Sequence, residues 1–391
     1  MQPLSSHLPF EKTGAKYKQL RHNLLKRIQD SKPGDQMPSY SQMVRQYDVT
    51  QSTIDRVLQE FTYSGLIVRQ PGKGIFVSSK AKDRFYIHLF GNSLLEIGGS
   101  DFPKLLHNEF KQYIKERGET FRYYVGVPDV DCNIGQNPSH EQLLLEASDG
   151  RIKGLLVGFQ TSEDQLKWLR LLGQSIVGYT QWPEPGMVCI DWENLISQAV
   201  TTLVSQGCKR IGLVMPLNFA REKESDPDLL THFCIELKQH GKTYKPEWTS
   251  ACVLNPEEKD LVTEEAGTFT AERLYAGLDS QDPVRFNEVF AQSPDGIVIL
   301  EETMARGVAT YLQRKGLEIG NHVKIAAYTT KGSPALNAFR NEITSLQVNP
   351  RDIVEGLYQQ LNSVDLDGRQ SQELLVKPKL VSYQTSSVTT V

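Results

Sequence analysis

From Arg84 onward, short runs of nearly continuous apolar residues alternate with stretches of helical periodicity, and no other feature of the chain narrows its fold as much. Strand-like runs at Phe85 to Phe90, Phe121 to Val127, Gly154 to Phe159, Ser175 to Tyr179 and Val188 to Ile190 are interleaved with helix-like segments at Phe102 to Arg117, Glu141 to Ala147 and Asp164 to Leu172. The rhythm then restarts with helix Leu195 to Ser205, strand Arg210 to Met215, helix Leu229 to His240, strand Gly296 to Leu300, helix Thr303 to Lys315 and strand Val323 to Tyr328. Strands apolar on both faces and separated by helices imply parallel sheets covered on both sides. The expected class is α/β, a doubly wound pair of lobes with a ligand cleft at the carboxyl ends of the strands.

The first 80 residues follow another pattern. Tyr17, Leu20, Leu24, Leu25 and Ile28 recur at helical spacing, and Lys32-Pro33-Gly34-Asp35 ends that helix in turn residues. Ser39 with Gln42 three positions later has the capping-box arrangement and opens a second, short helix through Met43, Val44 and Tyr47. After Asp48-Val49, Thr50 can cap a third helix whose stripe is Ile54, Val57, Leu58 and Phe61, ending near Gly65. Leu66 to Arg69 and Ile75 to Val77, joined by Pro71-Gly72-Lys73-Gly74, read as a hairpin. Three helices and a wing predict a winged helix-turn-helix. In that geometry the first turn of helix three faces the major groove, so Gln51, Ser52 and Thr53 can reach bases or phosphates, Gln51 being suited to adenine. Arg56, Arg69, Lys73 and the amides of Gly72 and Gly74 suit phosphates, and Ser39 and Thr50 at the two helix starts complete the candidate interface.

Charge follows the same division. Residues 1 to 80 hold 12 Lys+Arg against 6 Asp+Glu, a balance of +6, so with a net charge of -4 the remaining residues carry -10. A basic head suits a polyanion. At 391 residues two or three folding units are expected, and 39% hydrophobic with 23% charged residues excludes a disordered chain. No apolar run approaches the ~20 residues of a membrane helix, and Met-Gln-Pro-Leu-Ser-Ser-His has no signal-peptide character, so the expected location is the cytoplasm. The 5 cysteines, Cys132, Cys189, Cys208, Cys234 and Cys252, form no Cys-x-x-Cys pair, and neither disulfides nor a metal site are expected. Neither a Walker loop, His-Glu-x-x-His, Gly-x-Ser-x-Gly nor a Rossmann glycine fingerprint is present, so neither catalysis nor a cofactor is expected.

Gly34, Met37-Pro38-Ser39, Val49-Thr50-x-Ser52-Thr53, Gly65-Leu66-Ile67 and Gly72-x-Gly74-x-Phe76-Val77 resemble the N-terminal DNA-binding domain of GntR-family bacterial transcription regulators, from about Tyr17 to Val77. Where members of that family often carry arginine, this chain has Ser41, Gln51 and Asp55. Gly150 to Leu156, Ile190-Asp191-x-Glu193, Gly207 to Gly212, Pro294 to Ile297, Glu302-x-Met304-Ala305 and Ser345-Leu346-Gln347 resemble the ligand-binding core of LacI/GalR-family repressors, with the type I periplasmic-binding fold. Glu301-Glu302 stand where that family commonly has Asn-Asp, and Leu229 where an arginine usually precedes the next helix's Phe, here Phe233.

The two resemblances imply a winged helix-turn-helix at 1–80, a linker at 81–84 and an effector-binding and dimerisation domain at 85–391. Its first lobe would take in about 85–190 and 349–368, its second about 191–347 and 374–391. Effector candidates are Asn92, Ser93, Phe102, Phe159, Trp182, Asp191, Arg221, Glu302 and Gln347, a set of carboxylates, amides and aromatic rings suited to a sugar or polyol. The expected function is a repressor that binds operator double-stranded DNA as a homodimer under the control of a small metabolite. The alternative, a sugar-binding protein acting without DNA, leaves the basic head unexplained.

Overall fold

The computed structural model describes residues 15–63, 65–79, 84–90, 100–125, 143, 146–147, 151–157, 176–180, 186–216, 229–249, 263–278, 281–362 and 373–381. The chain opens with α1 (Ala15–Asp30), α2 (Tyr40–Tyr47), α3 (Gln51–Tyr63), β1 (Ile67–Gln70) and β2 (Gly74–Val77). Next come β3 (Phe85–Phe90), α4 (Phe102–Glu116), β4 (Thr120–Val125), β5 (Ile152–Val157), β6 (Ile176–Thr180), β7 (Val188–Ile190), α5 (Trp192–Ser205), β8 (Ile211–Val214) and α6 (Leu229–Gln239). The remainder is α7 (Thr263–Leu274), α8 (Pro283–Gln292), β9 (Gly296–Ile299), α9 (Glu302–Arg314), β10 (Lys324–Thr330), β11 (Ile343–Val348), α10 (Pro350–Asn362), β12 (Leu374–Val376) and β13 (Lys379–Val381).

The first three helices share one core. Leu20, Leu24 and Ile28 of α1 cluster with Met43 of α2 and with Ile54, Val57, Leu58 and Phe61 of α3, all buried. The capping box forms as its spacing predicts: the Gln42 N–H donates to Ser39 Oγ at 3.4 Å, and the Ser39 N–H donates to Gln42 Oε1 at 2.8 Å. Asp48 takes a left-handed φ of 48° at the end of α2, which turns the chain directly into α3. β1 and β2 pair antiparallel with Ile67 opposite Val77, and the Met37 N–H donates to the Ile75 carbonyl at 2.8 Å, so the segment before α2 lies along the free edge of the wing.

The chain divides into two compact units, Met1–Asn92 with Phe110–Val188 and Glu355–Leu374, and Ser93–Glu109 with Cys189–Val354 and Leu375–Val391. Among the described residues one sheet has the order β12-β7-β6-β5-β3-β4, with β3 parallel to both β4 and β5. Its first strand lies between its second and third, which is the switch-point arrangement of doubly wound sheets. The other sheet has the order β13-β11-β10-β9-β8; β8 to β11 are parallel, and β13 closes the edge antiparallel to β11. Every residue of β8 and β9 is buried, as expected of strands covered on both faces. Helices α5 and α9 both pack against β9 and β10.

Three helices fall outside the expected alternation: α7, α8 and α10. Helix α7 lies across α9 at close range. A Cβ on Gly307 would meet the backbone carbonyl of Glu264, and one on Gly267 the backbone of Met304. Arg306 Nη2 donates to Glu264 Oε2 at 2.6 Å beside this crossing. The expected helix 164–172 lies outside the described residues; of 141–147, Leu143, Glu146 and Ala147 are described, and they are helical. Among the described residues no helix is long and apolar enough to cross a membrane. Because two rigid backbones meet at Gly307, Gly307→Ala should destabilise the protein by about 1–3 kcal/mol, read as a lower urea midpoint at unchanged slope.

Candidate nucleic-acid interface and effector site

Burial of Ile54, Val57, Leu58 and Phe61 leaves Gln51, Ser52, Asp55, Arg56 and Gln59 on the outward face of α3. At the start of that helix three hydroxyls form a local network: Thr50 Oγ1 lies 3.0 Å from Ser52 Oγ and 2.9 Å from Thr53 Oγ1. The Thr53 N–H also donates to Thr50 Oγ1 at 3.4 Å, so Thr50 caps α3 as its position predicts. Gln51 stands exposed beside this network. Ser39 acts as the cap of α2, with its Oγ 3.2 Å from Ser41 Oγ.

The wing tip is set by Gly72 at φ 73° and Gly74 at φ 121°, backbone states that favour glycine. Lys73 is exposed between them, and Gln36 Nε2 donates to its carbonyl at 2.9 Å. A Cβ on Gly74 would stand 2.7 Å from that same nitrogen, so Gly74 makes room for the brace. A concavity of about 790 Å³ lies between the start of α2 and the wing, with Arg27, Gln36, Ser39, Tyr40, Arg69 and Gly72 on its walls.

The two arginines singled out for phosphates are engaged within the head. The Arg56 guanidinium lies 5.0 Å from the centre of the Tyr17 ring. Arg69 Nη1 lies 3.8 Å from Asp55 Oδ1, and its Nε donates to Thr62 Oγ1 at 3.2 Å. The Tyr40 hydroxyl donates to the same Asp55 Oδ1 at 2.6 Å. Tyr40, Asp55 and Arg69 therefore join α2, α3 and the wing through side chains on the outer face. Sequence spacing gives no sign of this triad or of the Gln36 brace, because each links residues from different elements.

In the second unit the described effector candidates are Phe102, Asp191, Glu302 and Gln347. Phe102 is buried at the first position of α4. Asp191 caps α5, its Oδ1 accepting the Asn194 N–H at 2.9 Å. Gln347 is half-buried and sits opposite Thr329 across β10 and β11. Glu302 is 1% exposed, and its Oε2 accepts the Thr330 N–H at 2.8 Å. Asn92, Ser93, Phe159, Trp182 and Arg221 lie outside the described residues.

Around Glu302 several buried polar oxygens lack partners: the carboxyl oxygens Glu302 Oε1 and Glu301 Oε1 and the hydroxyl Thr329 Oγ1. Glu301 caps α9 through its other oxygen, which accepts the Met304 N–H at 2.6 Å. Desolvation pushes the Glu302 carboxyl up to about 7, against hydrogen bonds from the Thr330 amide and Ser333 and with help from Glu301 and Asp101. The Trp192 and Tyr328 rings are 5.3 Å apart, and the Tyr328 hydroxyl lies 3.0 Å from Thr330 Oγ1. Unpartnered carboxyl and hydroxyl oxygens at the carboxyl ends of parallel strands make this region suited to a ligand whose own groups both donate and accept, as hydroxyls do. Thr329 and Tyr328 are site features that the sequence motifs did not single out, and Glu301 entered there only as a departure from the family's Asn-Asp.

The raised pKa has a stability consequence. Between the ordinary carboxyl value of 4.5 and about 7, the folded state holds a proton on Glu302 that the unfolded chain has lost. The stabilisation from this group is therefore present at acid pH and is lost as pH rises through that window, by up to about 3 kcal/mol. Denaturant titrations at pH 5 and pH 8 should show the decline, and Glu302→Gln should flatten it.

Comparison with known proteins falls into two parts. Residues 16–77 match the family model for "Bacterial regulatory proteins, gntR family", and residues 200–386 match the "Periplasmic binding protein-like domain". The histidine utilization repressor of Klebsiella aerogenes is 34% identical over 79 residues, which is 20% of this chain and 30% of the repressor's own length. Among solved structures, a LacI-family regulatory protein from Chloroflexus aggregans superposes with a TM-score of 0.55 at 16% identity, covering 75% of this chain and 96% of that one. The transcription regulator CcpA of Lactococcus lactis gives 0.52 at 14%, covering 76% of this chain and 98% of that one. At these identities the likeness establishes the fold. Residues 16–77 are a GntR-type helix-turn-helix DNA-binding domain, and residues 200–386 belong to a periplasmic-binding-protein-like domain of the fold seen in LacI-family regulators.

Proposed function

We propose that the protein is a ligand-responsive transcription regulator, a repressor that binds operator DNA as a homodimer in the cytoplasm and is controlled by a small metabolite of the sugar or polyol class. The observation that carries this reading is the outward face of α3, with Gln51 and Ser52 exposed, beside the exposed Lys73 of the wing, on a head of charge +6. The histidine utilization repressor of Klebsiella aerogenes, which matches over 79 residues, supports the same reading.

The proposed division of labour assigns residues 1–80 to DNA, 81–84 to a linker and 85–391 to effector binding and dimerisation. Gln51 reads bases, while Ser39, Thr50, Ser52, Thr53, Arg56, Arg69, Gly72 and Lys73 position the head on the backbone. Glu302, Gln347, Asp191 and Phe102 contribute to the effector site; the unpartnered oxygens of Glu302 and Thr329 favour a ligand rich in hydroxyl donors. Effector and operator act against each other through one coupling free energy, typically ~1–3 kcal/mol.

DNA affinity should fall steeply and log-linearly with salt. Lys73→Ala should weaken binding to every duplex alike and lower the salt slope by about 1, whereas Gln51→Ala should cost about 1–3 kcal/mol on the preferred sequence and relax its specificity. Fluorescence anisotropy over a salt series reads both; equal losses on preferred and random DNA for Gln51→Ala would remove its reading role. On the effector side, a bound sugar at about 100 times its Kd should stabilise the fold by about 2.7 kcal/mol, visible as a selective rise in Tm across a panel of sugars and polyols.

A further inference from the structure

The outward face of a recognition helix meets a polyanion, so a carboxylate there costs affinity against every sequence unless it gains something from particular ones. Asp55 occupies such a place, one helical turn after Gln51, with its side chain 49% exposed. It is also held. The Tyr40 hydroxyl donates to Oδ1 at 2.6 Å and Arg69 approaches that oxygen at 3.8 Å. Both contacts use one oxygen, so the carboxylate is oriented while Oδ2 is left to accept from outside the head. Desolvation, followed by the Asp55 hydrogen bond, pushes the Tyr40 hydroxyl up, which keeps it a donor in this pair.

We propose that Asp55 reads a cytosine in the major groove, its Oδ2 accepting from the N4 amino group. The proposal rests on the reading of the head as a DNA-binding module and adds to it the base at a second position. The other bases fit an oriented carboxylate less well. Guanine presents only acceptors, O6 and N7; thymine presents O4 and a methyl group; adenine has an amino group, but with the N7 acceptor beside it. Arg69, close to Oδ1, offsets the repulsion between the carboxylate and neighbouring phosphates. Tyr40 is a positioning residue: it acts on DNA through Asp55.

The test is a selection of binding sites from a random duplex library with the full chain, run in parallel for the wild type, Asp55→Ala and Tyr40→Phe. Competition titrations then compare the enriched duplex, the same duplex with the assigned C·G pair changed to T·A, and a random duplex. The wild type should prefer cytosine at that position roughly tenfold. Asp55→Ala should lose that preference while binding random duplex at least as tightly, because an anionic group has been removed from the interface. Tyr40→Phe should reduce the preference without weakening random binding. If Asp55→Ala instead enriches the same site with unchanged discrimination, the proposal fails. It also fails if that variant loses affinity for all duplexes alike with a lower Tm, the signature of a purely structural clamp. No enrichment by the wild type would overturn the DNA-binding reading itself, and this proposal with it.

Discussion

Parallel strands cannot be joined by a tight turn; each needs a crossover connection, so successive strands run in the same direction and their following loops emerge at the same edge. In the second unit this constraint acts on β8, β9, β10 and β11, and it brings residues far apart in sequence to one side of a sheet. Glu301 and Glu302 follow β9, Thr329 and Thr330 end β10, and Gln347 lies near the end of β11. None of these residues is remarkable alone. Together they bury polar oxygens that the sheet's own hydrogen bonding does not use, and the same burial that shapes the sheet raises the Glu302 carboxyl.

The head solves a different problem. A domain of this size has a small core, and its order rests on short-range devices added to that core: the capping box at Ser39, the left-handed Asp48 between α2 and α3, and Gln36 against the wing tip. Polar groups that look outward in a sequence pattern are partly spent on this task. Ser39 and Thr50 cap helices, Thr53 joins the Thr50 network, and Arg69 leans on Asp55. What remains most open to a ligand is Gln51, Ser52 and the exposed Lys73.

The parts legible in the sequence are those governed by neighbours within about one turn. The stripes of α1 and α3, the capping box of α2 and the glycine turn of the wing all depend on residues a few positions apart. The helices outside the expected alternation differ in kind. Helix α7 turns Ala266, Gly267, Thr270 and Ala271 inward, and small residues leave no strong apolar stripe; their value lies in letting α9 approach. Helix α8 has no fully buried residue, although Phe286, Val289 and Phe290 rest on the core. Helix α10 buries Ile353, Val354, Leu357 and Leu361, a spacing that is readable by period alone.

The sequence by itself determined the elements of the head, much of the strand and helix alternation that marks the α/β class, and the basic charge of the head, because periodicity, capping and charge are local or additive properties. Only the tertiary structure decided how the polar side chains are employed. Asp55 meets Arg69 across α3 and the wing, and Glu302 meets Thr330 across 28 residues of chain. Desolvation and the lack of a hydrogen-bond partner are properties of what surrounds an atom in space. A glutamate at the start of a helix reads the same in sequence whether water or β10 lies against it.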